Sequence, residues 1–110
     1  MIDVNVTEET RILVGAYHRA WTANDHDAFH SYLHPDVTFD FPIEIRWPEG
    51  TVVDLLDEVV DGLEAVQIYE ARSPGGRRVR VAEHLTVRDG KVWRIAPVFD
   101  EASMRAFMAS

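Results

Sequence analysis

Residues 79–99, VRVAEHLTVRDGKVWRIAPVF, constrain the fold of this chain more than any other stretch. Two runs of alternating residues flank Asp89-Gly90, the short-range signature of a β-hairpin. In the first run Val79, Val81, Leu85 and Val87 share a face with Glu83, while Arg80, Ala82, His84, Thr86 and Arg88 take the other. Glu83 is the only polar residue on the apolar face. A carboxyl there costs several kcal/mol unless it is paired or stays protonated, so its pKa should rise. Acids placed in this way often carry proton chemistry, which makes Glu83 the first functional candidate. A glutamate at a sheet edge or in a subunit salt bridge is the structural alternative.

The hairpin register decides where the second run points. A two-residue Asp89-Gly90 turn pairs Thr86 with Trp93 and His84 with Ile95, which sets bulky apolar residues on the charged face. A three-residue Arg88-Asp89-Gly90 loop, with Gly90 in a left-handed bulge position, pairs Leu85 with Trp93 and Glu83 with Ile95 instead. A one-residue slip flips every side chain, and polarity favours the three-residue loop. That register gathers Trp93, Ile95 and Phe99 with Val81, Leu85 and Val87 around Glu83.

The rest of the chain supplies helices before this hairpin. Residues 1–6 read as a loose arm, and Thr7 as an N-cap with Glu8 and Glu9 in the first turn. Ile12, Leu13, Ala16, Tyr17, Ala20 and Trp21 then recur at helical spacing to about Ala23. Asn24-Asp25 breaks that helix, and Asp25 can cap a second, short one carrying Ala28, Phe29, Tyr32 and Leu33, ended by Pro35. Residues 37–41 form a strand with Phe39 and Phe41 on one face, and 42–50 a loop containing Trp47. Val52, Leu55, Leu56, Val59 and Leu63 have the spacing of a third helix that stops at Asp61-Gly62, so 42–62 is the expected lid. Residues 63–72 read as a strand, 73–76 as a turn, and the tail from Asp100 as a helical turn or two with Met104, Phe107 and Met108 on one side. Helices at one end and an antiparallel sheet at the other make an α+β domain spanning residues 1–110.

Bulk properties narrow the partner. With 11 basic and 19 acidic residues the net charge is −8, the wrong sign for neutralising phosphates on nucleic acid or for docking on anionic lipid. No apolar run approaches the roughly 18 residues of a membrane span, and nothing resembles a signal peptide. The chain has no cysteine, which removes disulfides, thiol nucleophiles and thiolate metal sites. The expectation is a cytoplasmic domain with a small-molecule or protein partner. His26, His30 and His34 recur every four residues, yet the last precedes Pro35, and no metal is expected there.

Two segments, AYHRAWTANDHDAFHSYLHPDVTFDFP (16–42) and EHLTVRDGKVWRIAPVFD (83–100), together about two fifths of the chain, resemble the nuclear-transport-factor-2-like (NTF2-like) superfamily. That superfamily includes ketosteroid isomerases, SnoaL-like polyketide cyclases and limonene epoxide hydrolases. The resemblance implies a cone-shaped fold, in which a curved antiparallel sheet wraps a long N-terminal helix with two shorter helices. It further implies a mostly apolar pocket and a homodimer. Tyr17 falls where ketosteroid isomerases carry the tyrosine that hydrogen-bonds the substrate oxyanion. Glu83 falls on their protonated aspartic acid, a known case of pKa tuning. Their proton-shuttling carboxylate falls on Phe41. Asp40 is adjacent, although strand alternation points it away from the pocket unless a bulge intervenes. The aspartate that epoxide hydrolases place two residues before the terminal Phe-Asp falls on Pro97.

The candidate catalytic set is therefore Tyr17 and Glu83, two donors able to stabilise a carbonyl oxygen becoming an enolate, with Asp40 as the candidate base. The candidate lining is Trp21, Phe29, Phe39, Phe41, Leu56, Ile68, Leu85, Trp93, Ile95 and Phe99. The function these imply is cofactor-free acid–base isomerisation or cyclisation of a small carbonyl-bearing hydrophobic molecule, steroid-like or from secondary metabolism. The alternative is a non-catalytic binding or dimerisation module of the same fold. Arg77, Arg78, Arg80, Arg88 and Arg94 make the sheet's outer face basic, and that face is the expected homodimer interface.

Overall fold

The alternation of residues 79–99 becomes the middle of one five-stranded sheet. The computed structural model describes residues 4–110. Along that range the elements are α1 (Val4–Thr22), α2 (His26–Ser31), β1 (Leu33–Phe39), β2 (Val52–Asp61), β3 (Glu64–Arg72), β4 (Arg78–Arg88), β5 (Lys91–Val98) and α3 (Glu101–Met108). The strand order is β1-β5-β4-β3-β2. β1 runs parallel to β5, and the other neighbours are antiparallel. This is the α+β arrangement of a curved sheet, one long helix and two short ones.

The hairpin keeps the expected faces by a different route. Arg88 pairs with Lys91 across a two-residue turn, and Asp89 and Gly90 both take positive φ, 53° and 71°, as a type I′ turn requires. Left alone, that turn would set Ile95 on the charged face. The register instead shifts between Thr86 and Val87, so that Leu85 meets Ile95 and Glu83 meets Pro97. The extra residue is Trp93. A bulge on β5 restores the parity that the sequence reading assigned to a three-residue loop, and Glu83 stays on the buried face.

The stretch expected as a third helix is the edge strand β2. Its apolar spacing of three and four residues comes from a bulge at Leu56, which lies between the pairs Leu55–Tyr69 and Asp57–Ile68. Four valines in the strand favour extended backbone, and Gly62, at φ 60°, opens a two-residue turn into β3. Val52, Leu55, Leu56 and Val59, the stripe a helix would have buried, remain exposed.

At the N-terminus α1 starts at Val4, so residues 4–6 belong to the helix, while the remainder of the expected arm lies outside the described residues. Thr7 is no cap, since its hydroxyl accepts the Gly62 N–H at 3.1 Å and ties the helix to the β2–β3 turn. Asp25 does cap α2, accepting from the Ala28 N–H at 3.2 Å. The second helix ends at Ser31 rather than beside Pro35, and β1 begins two residues before that proline. Pro35 has no N–H to give, and it falls in the irregular part of the β1–β5 pairing, between Leu33 and Thr38.

The inner face of the sheet carries two apolar clusters. One contains Val14, Tyr17, Ala65, Leu85, Val87, Val92 and Ile95. The other contains Tyr69, Ala71, Val79, Val81, Met104 and Phe107, the last two supplied by α3. Asp100 caps α3 by accepting the Ser103 N–H at 2.8 Å. Trp21 packs against both clusters, and the cavity described next opens beside it. No helix among the described residues is long and apolar enough to cross a membrane.

Candidate functional site

Helical spacing brings Thr10, Val14, Tyr17 and Ala20 onto the buried stripe of α1. This stripe faces the inner side of β3 and β4, where Glu83 stands between Val81 and Leu85. Tyr17 and Glu83 are 2% and 3% exposed. The Tyr17 hydroxyl donates to Glu83 Oε1 at 3.1 Å. Glu83 Oε2 is buried and meets no hydrogen-bond partner among the described residues.

Burial without a cation decides the electrostatics of this pair. It pushes the Glu83 carboxyl up to about 7, against the smaller opposing pull of the Tyr17 hydrogen bond. Tyr17 itself is raised well above the ordinary phenol value by burial and by the charge of Glu83. Tyr69 is raised by the same two causes in the same order. Both phenols therefore remain donors at neutral pH, while Glu83 exchanges its proton there.

The two side chains line a cavity of about 160 Å³ whose other walls are Trp21, Phe29, Phe39, Phe41, Ile45, Trp47, Tyr69 and Ile95. Trp21 and Trp47 are nearly parallel, 12° apart at a centroid distance of 6.3 Å, and Tyr69 meets Trp21 edge-on at 5.3 Å. Phe29 lies 5.6 Å from the Tyr17 ring. Such a site presents flat apolar walls around one carboxyl group.

Five of the ten lining residues expected from sequence reach this cavity: Trp21, Phe29, Phe39, Phe41 and Ile95. The other five lie elsewhere. Leu85 is fully buried in the first core cluster, and Phe99 packs on the second. Leu56, at the bulge, is 48% exposed. Ile68 alternates with Gln67 and Tyr69, both buried, and so takes the outer face of β3. Trp93, thrown out by its bulge, lies under the Arg88 guanidinium at 5.0 Å. Asp40 also misses the cavity. It follows the last residue of β1 and pairs with Arg94, its carboxylate mostly in solvent, as alternation away from Phe39 and Phe41 requires.

Sequence reasoning missed Tyr69, Ile45 and Trp47. Phe41, Ile43, Ile45 and Trp47 alternate with exposed Pro42, Glu44 and Arg46, a two-residue period that was readable although the segment forms no strand. Tyr69 was hidden because both faces of β3 carry apolar residues. A second buried polar group lies deeper along α1, where Gln67 Nε2 donates to the Val14 carbonyl at 2.9 Å and to Glu58 Oε2 at 2.8 Å. His18 is buried against Trp21 and Tyr69, and that burial lowers its pKa. Of the three histidines at four-residue spacing, His30 and His34 have separate partners. His30 donates to the His26 carbonyl at 2.7 Å, and His34 lies 3.3 Å from Asp89. No group of metal-ligating side chains occurs among the described residues.

A curved sheet folded over a long helix is an arrangement shared with NTF2-like proteins, and solved structures place this chain in that fold. A Kribbella flavida protein assigned as a ketosteroid isomerase superposes with a TM-score of 0.77 at 23% identity, covering 86% of this chain and 80% of its own. An NTF2-like protein of unknown function from Mesorhizobium loti gives 0.76 at 16% identity, over 86% and 93% of the two chains. TerC, co-crystallized with polyporic acid, gives 0.73 at 18% identity, over 93% and 99%. No protein-family model and no curated protein matches the sequence. The fold is NTF2-like.

Proposed function

We propose that this chain is a cofactor-free general-acid catalyst acting on a small, mostly apolar, carbonyl- or hydroxyl-bearing molecule, in an isomerisation, cyclisation or dehydration. One observation carries the reading. Glu83 is buried in an aromatic cavity, holds its proton to about pH 7, and has no hydrogen-bond partner for Oε2 among the described residues. A neutral carboxyl donates a hydrogen bond from that oxygen to a bound carbonyl, and Tyr17 fixes the other oxygen. Donation into a water-poor site is worth far more than in solution, and loss of one such donor costs about 2.7–4 kcal/mol in a barrier. A pKa near the working pH also suits a group that must give up a proton and regain it. TerC, which shares the fold at 18% identity, was co-crystallized with an organic acid, polyporic acid.

A second reading, a binding module with no chemistry, draws on one feature of the lining. Among the described residues that line the cavity, Glu83 is the only carboxylate and there is no imidazole, so no separate base faces the ligand. Solvent-deuterium exchange at the α-carbon of small cyclic ketones, with Glu83 hydrogen-bonding the carbonyl and solvent water taking the α-proton, separates the two when followed by NMR. Catalysed exchange that falls at least a hundredfold in Glu83→Ala supports the acid. Saturable ligand binding with no exchange above buffer supports the module. On either reading the outer face of the sheet, with Val59 and Val98 exposed among charged residues, is the proposed homodimer surface.

A further inference from the structure

The dimensions of the site limit what can enter it. A cavity of about 160 Å³ is the size of the roughly 150 Å³ apolar cavity that takes up benzene, and well below the roughly 300–1,000 Å³ of sites for drug-sized ligands. One six-membered ring fills it, and the four fused rings of a steroid do not. The nearly parallel indoles of Trp21 and Trp47 make its walls flat, which selects a planar ring.

The cavity does not end at its mouth. Phe39, Phe41 and Ile45 also line an open shelf of about 400 Å³ with Glu44 at its rim. Phe39 is 54% exposed there, and its ring centroid is 6.2 Å from that of Phe41. More than half of Phe39 is left to water at the lip of the cavity, beside the partly buried Phe41 and Ile45, where a bound apolar group would cover it. Among the described residues that line the shelf, Glu44 is the one charged side chain, and it is paired with Arg46 at 3.3 Å. Phe39, Phe41 and Ile45 line both the cavity and the shelf, so the two sites adjoin across these three side chains.

We propose that the ligand is a single-ring enol or phenol bearing an unbranched, uncharged apolar tail, with the ring oxygen at Glu83 and the tail along Phe39, Phe41 and Ile45. The inference rests on Glu83 being the group that meets the ligand oxygen, and it adds the size, shape and tail of what binds.

Calorimetric titration with phenol and its para-ethyl, para-butyl and para-hexyl derivatives tests it. Each titration is run on the wild type, Glu83→Gln and Phe39→Ala. Affinity is expected to rise about twofold per methylene, half of the full transfer value, because the chain keeps one side in water. In Phe39→Ala the ratio of hexyl- to unsubstituted-phenol affinity should collapse towards one. Glu83→Gln should weaken every member of the series by a similar factor. If phenol binds in a Glu83-dependent way while longer chains bind no better, the tail assignment is wrong and the general-acid reading stands. A length dependence that survives Phe39→Ala places the chain elsewhere and also overturns it. If no member of the series binds the wild type, the reading of Glu83 fails and this inference goes with it.

Discussion

Replacing Glu83 with glutamine should make the protein more stable at neutral and alkaline pH, although it removes a hydrogen-bonding acid from the core. Glutamine keeps the shape and an oxygen that can accept from Tyr17, but it cannot ionise. In the wild type the carboxyl holds its proton to about pH 7 when folded, against 4.5 as the reference value. The folded state therefore binds the proton more tightly than the unfolded state. The stability contributed by the neutral carboxyl is fully present below pH 4.5, falls as pH rises, and is lost once pH passes about 7. At about 1.4 kcal/mol per pKa unit the loss comes to about 3 kcal/mol. The gap between Glu83→Gln and wild type should thus widen from about 1 kcal/mol at pH 5.5 to about 3 kcal/mol above pH 7.5. Urea unfolding followed by tryptophan fluorescence, on both proteins in matched buffers, measures this gap directly, because the other titrating groups cancel in the difference. A gap that stays constant from pH 5.5 to 8.5 would refute the reasoning. It would mean that Glu83 titrates as an ordinary solvated carboxyl, with no buried acid available for chemistry.

Three further outcomes follow from the geometry. Asp40→Asn should leave phenol affinity within twofold of wild type and shift unfolding free energy by less than about 1 kcal/mol, since its pair with Arg94 is largely exposed; a large loss of binding by calorimetry would return Asp40 to the site. Phe107→Ala should cost about 3–5 kcal/mol in urea unfolding, because that ring is 1% exposed and packs α3 into the second core cluster; a cost below 1 kcal/mol would mean α3 is peripheral. Gly50→Ala should lower stability by about 1–3 kcal/mol in thermal or urea unfolding. Gly50 has φ 82°, and an added Cβ would lie 2.9 Å from the Pro74 ring; a neutral result would show that this loop moves freely.

What could be read from the sequence is what depends on short-range period. A strand shows its two faces residue by residue, so the burial of Glu83 and the outward turn of His84 were legible before any contact was known. So were the amphipathic face of α1 that carries Tyr17, and the Asp25 cap. Residues 16–42 and 83–100, with their Pro-Asp entry and Asp-Gly turn, were enough to name the fold. Asp40 facing away from the cavity also follows from alternation alone.

Bulges and long-range pairing were decided only by the tertiary structure. An extra residue changes the apparent period from two to three or four, so β2 imitates a helix in its apolar spacing, and Leu56 seems buried when it is not. The same kind of insertion on β5 expelled Trp93 while leaving Ile95 inside, and no local rule distinguishes that from a longer turn, because both restore the same parity. Ile68 and Tyr69 are adjacent bulky residues that both suit a strand, and only the pairing of Gln67 with Glu83 across β3 and β4 sets which of them faces the acid. The size of the cavity depends on how closely α1, the sheet and the segment from Phe41 to Trp47 approach one another. Volume is a property of three packed elements at once, and the order of residues in any one of them does not encode it.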